Sequence, residues 1–441
     1  ICICQLAKAE TYGNEWITNG ATYYKFKVAQ TSLYRISQSS LIALGISAGD
    51  LRSTDFKLFR NGTEVPLYIS TNGVLTPTDY IEFYGERNDG KPDSLLYKIK
   101  SDQPNDANSL FTDSATFFLT LSPFTINKRI TQESNDLSTI PAKEQYCYKN
   151  LYNINNAGIV KGFPASLFYS ELFNSDFDMG EGYVEYIGLG NTQLLNLNFP
   201  SAISNPNADA YLAFNWINDA SAMRLNFKLN SGFDTTITST IQQTTSHLFT
   251  LKSNNIIAGQ TFLITPSNFS TNYRFGRISL RYPREFNFEN LPKYNFGFNK
   301  NDEIYFEVKN FDRKSTTPIL YDLKNSKRYI AVVDTVIKFH MDFTAFNKDS
   351  LYLSAQTTNE IPYINSISRV NLTGFLTADK QGNYLIITNK ALKSSGAGID
   401  YLEKYKTYRS DTRGGNYKPN IYYIDEIIDQ WDLFIEKEDE R

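Results

Sequence analysis

The sequence has little histidine, cysteine, tryptophan or methionine. Its 441 residues include two His, three Cys, three Trp and three Met, against 30 Tyr and 31 Phe. So few His and Cys leave almost no ligands for a structural zinc site and none for a disulfide framework. A Cys–His or Ser–His enzyme would have to be built from Cys147, His247 and His340. The composition therefore argues mildly against an enzyme active site within this chain.

The chain also lacks a large excess of charge of one sign and a long apolar run. Charged residues make up 21% of the chain, and the net charge is −3. This balance excludes a disordered polyelectrolyte and a generally basic nucleic-acid binder. No apolar run approaches the roughly 20 residues that a membrane-spanning helix needs. The length predicts about three domains with a real hydrophobic core.

The first nine residues resemble the end of a secretory signal peptide. They read ICICQLAKA, a short apolar stretch followed by the small-x-small pattern Ala7-Lys8-Ala9. The alternative is a buried N-terminal strand. We interpret residues 1–9 as a signal-peptide remnant and expect an exported protein, in which Cys147 is the one cysteine of the mature chain.

From residue 22 to about residue 370 the pattern is overwhelmingly β. Tyr24, Phe26 and Val28 alternate with lysines, as in a strand with one wet face. Asn61-Gly62 lies between two apolar segments, which is the strongest short-range indication of a β-hairpin. Many short aromatic-rich strands with polar turns predict β-sandwich or jelly-roll modules. The sequence therefore predicts a mainly β fold.

We place a domain boundary near residue 140, where residues 137–141 (LSTIP) have the composition of a connector. This gives an N-terminal β domain at 10–140 and a second β-sandwich domain at 141–378. The high Tyr and Phe content is typical of side chains that pack on pleated surfaces. Carbohydrate-binding platforms are the alternative interpretation, although Trp is rare and no aromatic stripe stands out.

The pattern changes near Gly382. Residues 383–388 (NYLIIT) form a compact apolar run of the kind found in buried parallel strands. Apolar residues then recur at helical spacing from 399 to 408, a second strand follows at 420–424, and Asp425 begins another helix. This β-α-β-α order predicts a parallel α/β sheet. One such unit cannot cover both sheet faces, so we interpret residues 379–441 as the truncated start of an α/β domain.

Short segments spaced along the chain together carry a family resemblance. In chain order they are 13–17 (GNEWI), 24–28 (YKFKV), 33–36 (LYRI), 79–85 (DYIEFYG), 88–90 (NDG), 180–183 (GEGY), 277–286 (RISLRYPREF), 383–388 (NYLIIT), 405–410 (YKTYRS), 414–417 (GGNY) and 424–431 (IDEIIDQW). The last four resemble the opening of a gingipain-type cysteine peptidase domain, and the set is closest to the PorU-type sortase branch of the Bacteroidetes type IX secretion system. The resemblance covers about residues 10–431.

The resemblance implies a secreted protein with β-sandwich modules ahead of a caspase-like α/β peptidase domain. Family members use a Cys thiolate nucleophile with an activating His. In the sortase branch, the enzyme removes C-terminal sorting domains from cargo proteins. The family's His and Cys lie after the first β-α-β unit, so no catalytic residue of this chain is assigned. We expect them beyond Arg441 and expect the 441-residue chain to be inactive alone.

The resemblance also implies partners and a location. Protein substrates and components of the secretion system are the expected partners, at the outer-membrane surface or outside the cell. Neither nucleic acid nor a membrane-spanning segment is expected. The alternative function is a non-catalytic cell-surface binding or scaffold protein, with glycan binding kept open.

One segment has the composition of a calcium loop. Residues 88–93 (NDGKPD) place Asp89 and Asp93 around a glycine turn, and carboxylate oxygens are the ligands that Ca²⁺ prefers. The later Glu of an EF-hand is missing, which makes a plain acidic turn the competing interpretation. No organic cofactor is expected, and calcium is the one metal that the pattern favours.

Overall fold

The computed structural model describes residues 13–154, 158–162, 176–187, 193–196, 199–205, 207–218, 223–229, 232–239, 243–257, 261–266, 273–342, 350–372, 374–375, 377–394 and 398–431. Residues 1–9, interpreted above as a signal-peptide remnant, lie outside the described residues. No helix in the described part is long and apolar enough to cross a membrane.

The prediction of a mainly β fold is confirmed. The first third of the chain contains strands β1 (Thr22–Val28), β2 (Ser32–Ser37), β3 (Phe56–Arg60), β4 (Thr63–Val65), β5 (Tyr68–Ile69), β6 (Tyr80–Gly85), β7 (Ala115–Leu121) and β8 (Thr131–Glu133), with helix α1 (Gln38–Ala43) between β2 and β3. The middle third contains strands β9 (Cys147–Ile154), β10 (Gly158–Val160), β11 (Gly182–Ile187), β12 (Gln193–Asn196), β13 (Ala210–Asn218), β14 (Met223–Leu229), β15 (Asp234–Ser239), β16 (Gln243–Leu251), β17 (Thr261–Pro266) and β18 (Tyr273–Arg284).

The last third ends in mixed structure. It contains strands β19 (Asn287–Leu291), β20 (Lys293–Phe296), β21 (Glu303–Phe311), β22 (Ile319–Asp322), β23 (Lys327–Ile330), β24 (Val332–Val333), β25 (Ile337–Asp342), β26 (Leu351–Ser354) and β27 (Ser368–Asn371), followed by β28 (Tyr384–Thr388), α2 (Tyr401–Ser410), β29 (Pro419–Tyr423) and α3 (Ile424–Trp431). Strands β28 and β29 pair in parallel, which is the predicted β-α-β-α unit.

The β strands form three sandwiches. In the N-terminal sandwich, sheet β27-β1-β7-β3-β4 packs on sheet β2-β6-β5. In the middle sandwich, sheet β10-β11-β18-β13-β16, with β9 also paired to β18, packs on β12-β17-β14-β15. In the third sandwich, sheet β19-β21-β25-β24 packs on β20-β26-β22-β23-β8. Each encloses its own hydrophobic cluster, so the range 141–378 contains two cores.

Strand pairing crosses the boundaries drawn from the sequence. Strand β8 leaves the N-terminal part and pairs in parallel with β23 of the third sandwich. Strand β27 returns from near the end of the β region and pairs with β1. Each exchange pairs a strand that would otherwise present an open edge. The N-terminal and third sandwiches are therefore tied together through their backbones.

Candidate functional site

Cys147 is a core residue. It lies on β9 opposite Arg284 of β18, is fully buried, and packs within the cluster of the third sandwich. Burial raises the pKa of its thiol to about 12, against a smaller lowering by the Arg284 charge. Because the thiolate is the nucleophilic form, a thiol that stays protonated at neutral pH is unreactive. Cys147 therefore lacks the setting of a catalytic cysteine.

His340 lies on the opposite side of its sheet from the core that holds Cys147. Its neighbour on β25, Phe339, points into that core, and successive side chains of a strand point to opposite faces. His340 Nε2 is 2.7 Å from Glu303 Oε1, and Nδ1 is 2.6 Å from the carbonyl oxygen of Asp136. Both ring nitrogens are therefore engaged away from the thiol.

His247 is also remote from Cys147. On β16 it pairs with Phe214 of β13, and its ring stacks on that phenyl ring at 5.7 Å between centroids. Burial lowers the pKa of its imidazole. Phe214 is level with Ile278 of β18, whereas Cys147 is level with Arg284. These positions lie roughly 20 Å apart along the strand. The described residues bring no Cys–His pair together.

We expect the Cys147 thiol to resist alkylation while the protein is folded. The protein is treated with iodoacetamide at about pH 8, with and without guanidinium chloride, and the peptide that contains Cys147 is quantified by mass spectrometry. Burial and the raised pKa should make labelling of the folded protein at least about a hundredfold slower. Equal rates in the two samples would contradict a buried, protonated thiol.

The two predicted calcium-loop residues have different partners. Asp89 Oδ2 is 2.8 Å from Lys91 Nζ. Asp93 is buried and accepts hydrogen bonds from Ser109 Oγ at 3.1 Å and from the Leu110 N–H at 2.6 Å. Within the described ranges, no group of three or more His, Cys, Asp or Glu side chains is placed to hold a metal ion. Calcium binding at this loop stays a prediction from the sequence.

The long connection from β6 to β7, residues 86–114, lies across the middle sandwich, and we call it the arm. The carbonyl oxygen of Leu96 accepts from the Phe177 N–H at 2.8 Å, and that of Asp102 accepts from the Gly180 N–H at 3.1 Å. Asp106 of the arm forms an ion pair of 2.5 Å with Arg277 of β18. The arm is thus anchored along its length to the middle sandwich.

A glycine permits the closest approach of the arm. A Cβ atom built on Gly276 of β18 would lie 1.7 Å from the carbonyl oxygen of Pro104. Asn215 of β13 donates from Nδ2 to that same oxygen at 3.4 Å. The backbone of the arm therefore rests directly on the backbone of β18, where a side chain has no room.

A polar cleft with a volume of about 590 Å³ opens where the arm leaves the N-terminal sandwich and meets the middle one. Four cationic side chains line it, namely Arg60, Arg87, Lys91 and Arg277. Three carboxylates face them, namely Glu86, Asp89 and Asp106. The ring of Tyr152 on β9 completes the lining and is 53% exposed. We call this site the polar cleft; it includes Asp89 of the two calcium-loop residues.

Arg60 joins the polar cleft to a second cavity of about 310 Å³ between the N-terminal and third sandwiches. Arg60 Nη1 is 3.5 Å from Glu86 Oε2, and Nη2 donates to the carbonyl oxygen of Arg87 at 3.2 Å. Its Nε is buried and has no hydrogen-bond partner among the residues described. A buried donor without an acceptor is unfavourable.

A buried charge cluster links the N-terminal and third sandwiches. Glu82 of β6 is fully buried and accepts from Arg35 Nε at 2.8 Å. It also accepts from Arg328 Nη1 of β23 at 3.3 Å and from the Tyr321 hydroxyl of β22 at 2.7 Å. We call these four residues the Glu82 cluster. Burial, together with the Glu82 charge, raises the pKa of Tyr321, which keeps its hydroxyl a donor.

Sequence reasoning did not single out Arg60, Tyr152 or Arg277. Arg277 does lie in the 277–286 segment on which the family resemblance rests, where arginines alternate with apolar residues. On β18 only Arg277 of these arginines lines the cleft, because Arg281 and Arg284 are buried. Nothing local in the sequence indicates that the arm, more than 160 residues earlier, supplies the opposite wall.

Comparisons with known proteins support a fold relationship. No protein-family model matches the sequence, and no curated protein does. Among solved structures, the crystal structure of dimeric latent PorU from Porphyromonas gingivalis aligns with a TM-score of 0.58 at 13% identity. The alignment covers 94% of this chain and 38% of that one. This chain therefore matches well under half of the length of that protein.

Carbohydrate-binding modules align far less well. The CBM36-1 domain of a xylanase from a Trinervitermes trinervoides hindgut metagenome and the C-terminal CBM6 of LamC from Zobellia galactanivorans each cover 30% of this chain, at 13% and 17% identity. They cover 96% and 98% of their own chains, but their TM-scores are 0.19 and 0.18, too low to support any argument. The alignment with PorU is the one that supports a conclusion, and it shows that this chain has a PorU-like fold.

Proposed function

We propose that this chain is the N-terminal portion of a secreted gingipain-like cysteine peptidase, a type IX secretion sortase that cleaves C-terminal sorting domains from cargo proteins. The observation that carries the proposal is the fold likeness to PorU over 94% of the chain. The ordered motifs of the sequence support the same family. Cargo proteins and secretion-system components are then the partners, at the outer-membrane surface or outside the cell.

The α/β unit of residues 384–431 is, on this proposal, the first part of the peptidase domain. Parallel sheets are normally covered on both faces. Leu385 and Ile387 of β28 share one face and are 65% and 62% exposed. On the other face, the hydroxyl of Tyr384 lies 2.9 Å from that of Tyr405 on α2. Among the described residues this apolar face is exposed, which supports a larger domain. On this proposal, the catalytic Cys and His belong to the rest of that domain.

We expect the isolated 441-residue chain to show no thiol-dependent peptidase activity. The purified chain is assayed with Arg and Lys peptide amides under reducing conditions, with and without iodoacetamide. The described residues offer no thiol near a histidine, so turnover should match the background rate. Iodoacetamide-sensitive turnover that disappears in a Cys147→Ala variant would contradict this expectation.

The cellular role is tested by disrupting the complete gene in its host. Cargo proteins should then keep their C-terminal sorting domains and migrate as larger species on immunoblots. Re-expression of the complete gene should restore processing, whereas expression of residues 1–441 alone should not. Normal cargo processing in the disrupted strain would overturn the sortase proposal, and rescue by residues 1–441 would overturn the location of the catalytic residues.

A non-catalytic binding or scaffold protein is the second candidate function. The observation that favours it is the polar cleft, a formed concave site with an exposed aromatic residue. Ligand pockets of this kind commonly have volumes of about 300–1,000 Å³. Binding at the polar cleft is compatible with both candidates, because a peptidase can carry a binding site on its β modules.

A further inference from the structure

The polar cleft has a charge balance that restricts its ligand. Four cations and three carboxylates line it, and most are already paired within the protein. Lys91 Nζ lies 2.8 Å from Asp89 Oδ2, and Arg277 Nη1 lies 2.5 Å from Asp106 Oδ1. Of the four cations, Arg87 has no carboxylate partner, but its Nη2 donates to the carbonyl oxygen of Ala107 and to Asn108 Oδ1. A phosphate or polyanion would therefore find no cluster of uncompensated cations here. An apolar ligand would leave these charged groups desolvated, at a large cost in free energy.

The lining instead suits a ligand rich in hydroxyl groups. A hydroxyl both donates and accepts hydrogen bonds, so it can bind a carboxylate on one side and a guanidinium on the other. Nη1 of Arg60 makes one long contact of 3.5 Å with Glu86 Oε2, so it can also donate to a ligand oxygen. The carboxylate of Glu86, whose side chain is 60% exposed, offers an acceptor beside it.

Tyr152 supplies an apolar surface in this otherwise charged site. Its ring is 53% exposed, and the guanidinium carbon of Arg277 lies 5.3 Å from the ring centroid. That cation–π contact stabilises the position of the ring. A sugar ring presents a C–H face that packs on an aromatic ring, with its hydroxyls directed to the rim. The cleft thus combines an aromatic platform with paired donors and acceptors.

We propose that the polar cleft binds a neutral oligosaccharide, with Tyr152 as the stacking platform and Arg60 and Glu86 as hydroxyl partners. The inference rests on the geometry of the cleft and does not depend on the peptidase proposal. The junction of the arm and the middle sandwich is then a recognition site for glycans.

The test is calorimetric titration of the intact 441-residue chain with neutral gluco-, manno-, xylo- and galacto-oligosaccharides of four to six units. At least one should bind, and Tyr152→Ala should weaken that binding by at least about tenfold, while Tyr152→Phe, which keeps the ring, should bind within about threefold of the original chain. Arg60→Ala should also weaken binding by at least about tenfold. Circular dichroism establishes that each variant is folded.

Tyr401→Ala is the matched control, because Tyr401 is 55% exposed on α2, far from the cleft along the chain. It should leave the affinity unchanged. Acidic oligosaccharides form the second arm of the titration. The proposal fails if no neutral oligosaccharide binds at millimolar concentration, if Tyr152→Ala leaves the affinity unchanged, or if only acidic oligosaccharides bind and salt abolishes that binding.

Discussion

Replacing Glu82 with alanine should lower the free energy of unfolding by about 3–5 kcal/mol. The variant leaves the guanidinium groups of Arg35 and Arg328 buried without their shared carboxylate, and Tyr321 loses the acceptor of its hydroxyl. Uncompensated buried cations are costly because the protein interior solvates them poorly. Glu82→Gln keeps one acceptor oxygen and should therefore cost less than the alanine variant.

Urea unfolding followed by circular dichroism measures this effect, and a protein with several cores can unfold in more than one transition. The transition that involves the N-terminal and third sandwiches should move to lower urea, because the Glu82 cluster lies between them. Asp312→Ala is the control, since Asp312 pairs with Lys314 Nζ at 2.7 Å and accepts the Lys314 N–H at 3.0 Å in a surface turn. Losing these contacts should shift the midpoint far less. Equal midpoints for Glu82→Ala and Asp312→Ala would contradict the stabilising role of the cluster.

The Glu82 cluster joins the N-terminal sandwich to the third sandwich. Arg328 contacts Glu82 across 246 positions of sequence, and β8 and β27 exchange between regions in the same part of the molecule. Backbone pairing and a buried ion network thus join the same two sandwiches. Such a shared interface holds the two sandwiches in one orientation relative to each other. The α/β unit follows them in the chain.

Local features of the fold follow from the sequence. Asn61 and Gly62 have φ values of 45° and 63°, the left-handed conformation that a type I′ hairpin turn requires, and β3 and β4 flank them as predicted. The alternation of Tyr24, Phe26 and Val28 places all three in the core. Both depend on neighbouring residues alone, which is why a single sequence is enough to predict them.

The polar cleft depends on contacts between distant segments, so the sequence alone did not predict it. Asp89 is a metal-ligand candidate from the sequence, and in the structure it pairs with Lys91. The cleft also needs Tyr152 and Arg277, from strands that follow much later. In a sequence, a charged residue of a strand gives the same pattern whether its side chain faces water or a loop packed on the strand. Only the packing of the arm on β18 decides between these outcomes.

Gly276→Ala should release the arm from the middle sandwich. An alanine Cβ would overlap the carbonyl oxygen of Pro104, so either the arm or β18 has to move, at a cost of about 1–3 kcal/mol. A destabilised arm opens more often, and limited trypsin digestion reports opening through cleavage at Lys98 and Lys100. We expect cleavage there to become at least about tenfold faster than in the original chain.

Gly49→Ala is the control for this change, because a Cβ at Gly49 meets no atom within 4 Å. Its arm should be cleaved at the original rate. Release of the arm also removes one wall of the polar cleft, so Gly276→Ala should weaken oligosaccharide binding although Tyr152 and Arg60 are intact. Unchanged cleavage at Lys98 and Lys100 in Gly276→Ala would show that the arm is not held against β18, and the cleft would then lose its structural basis.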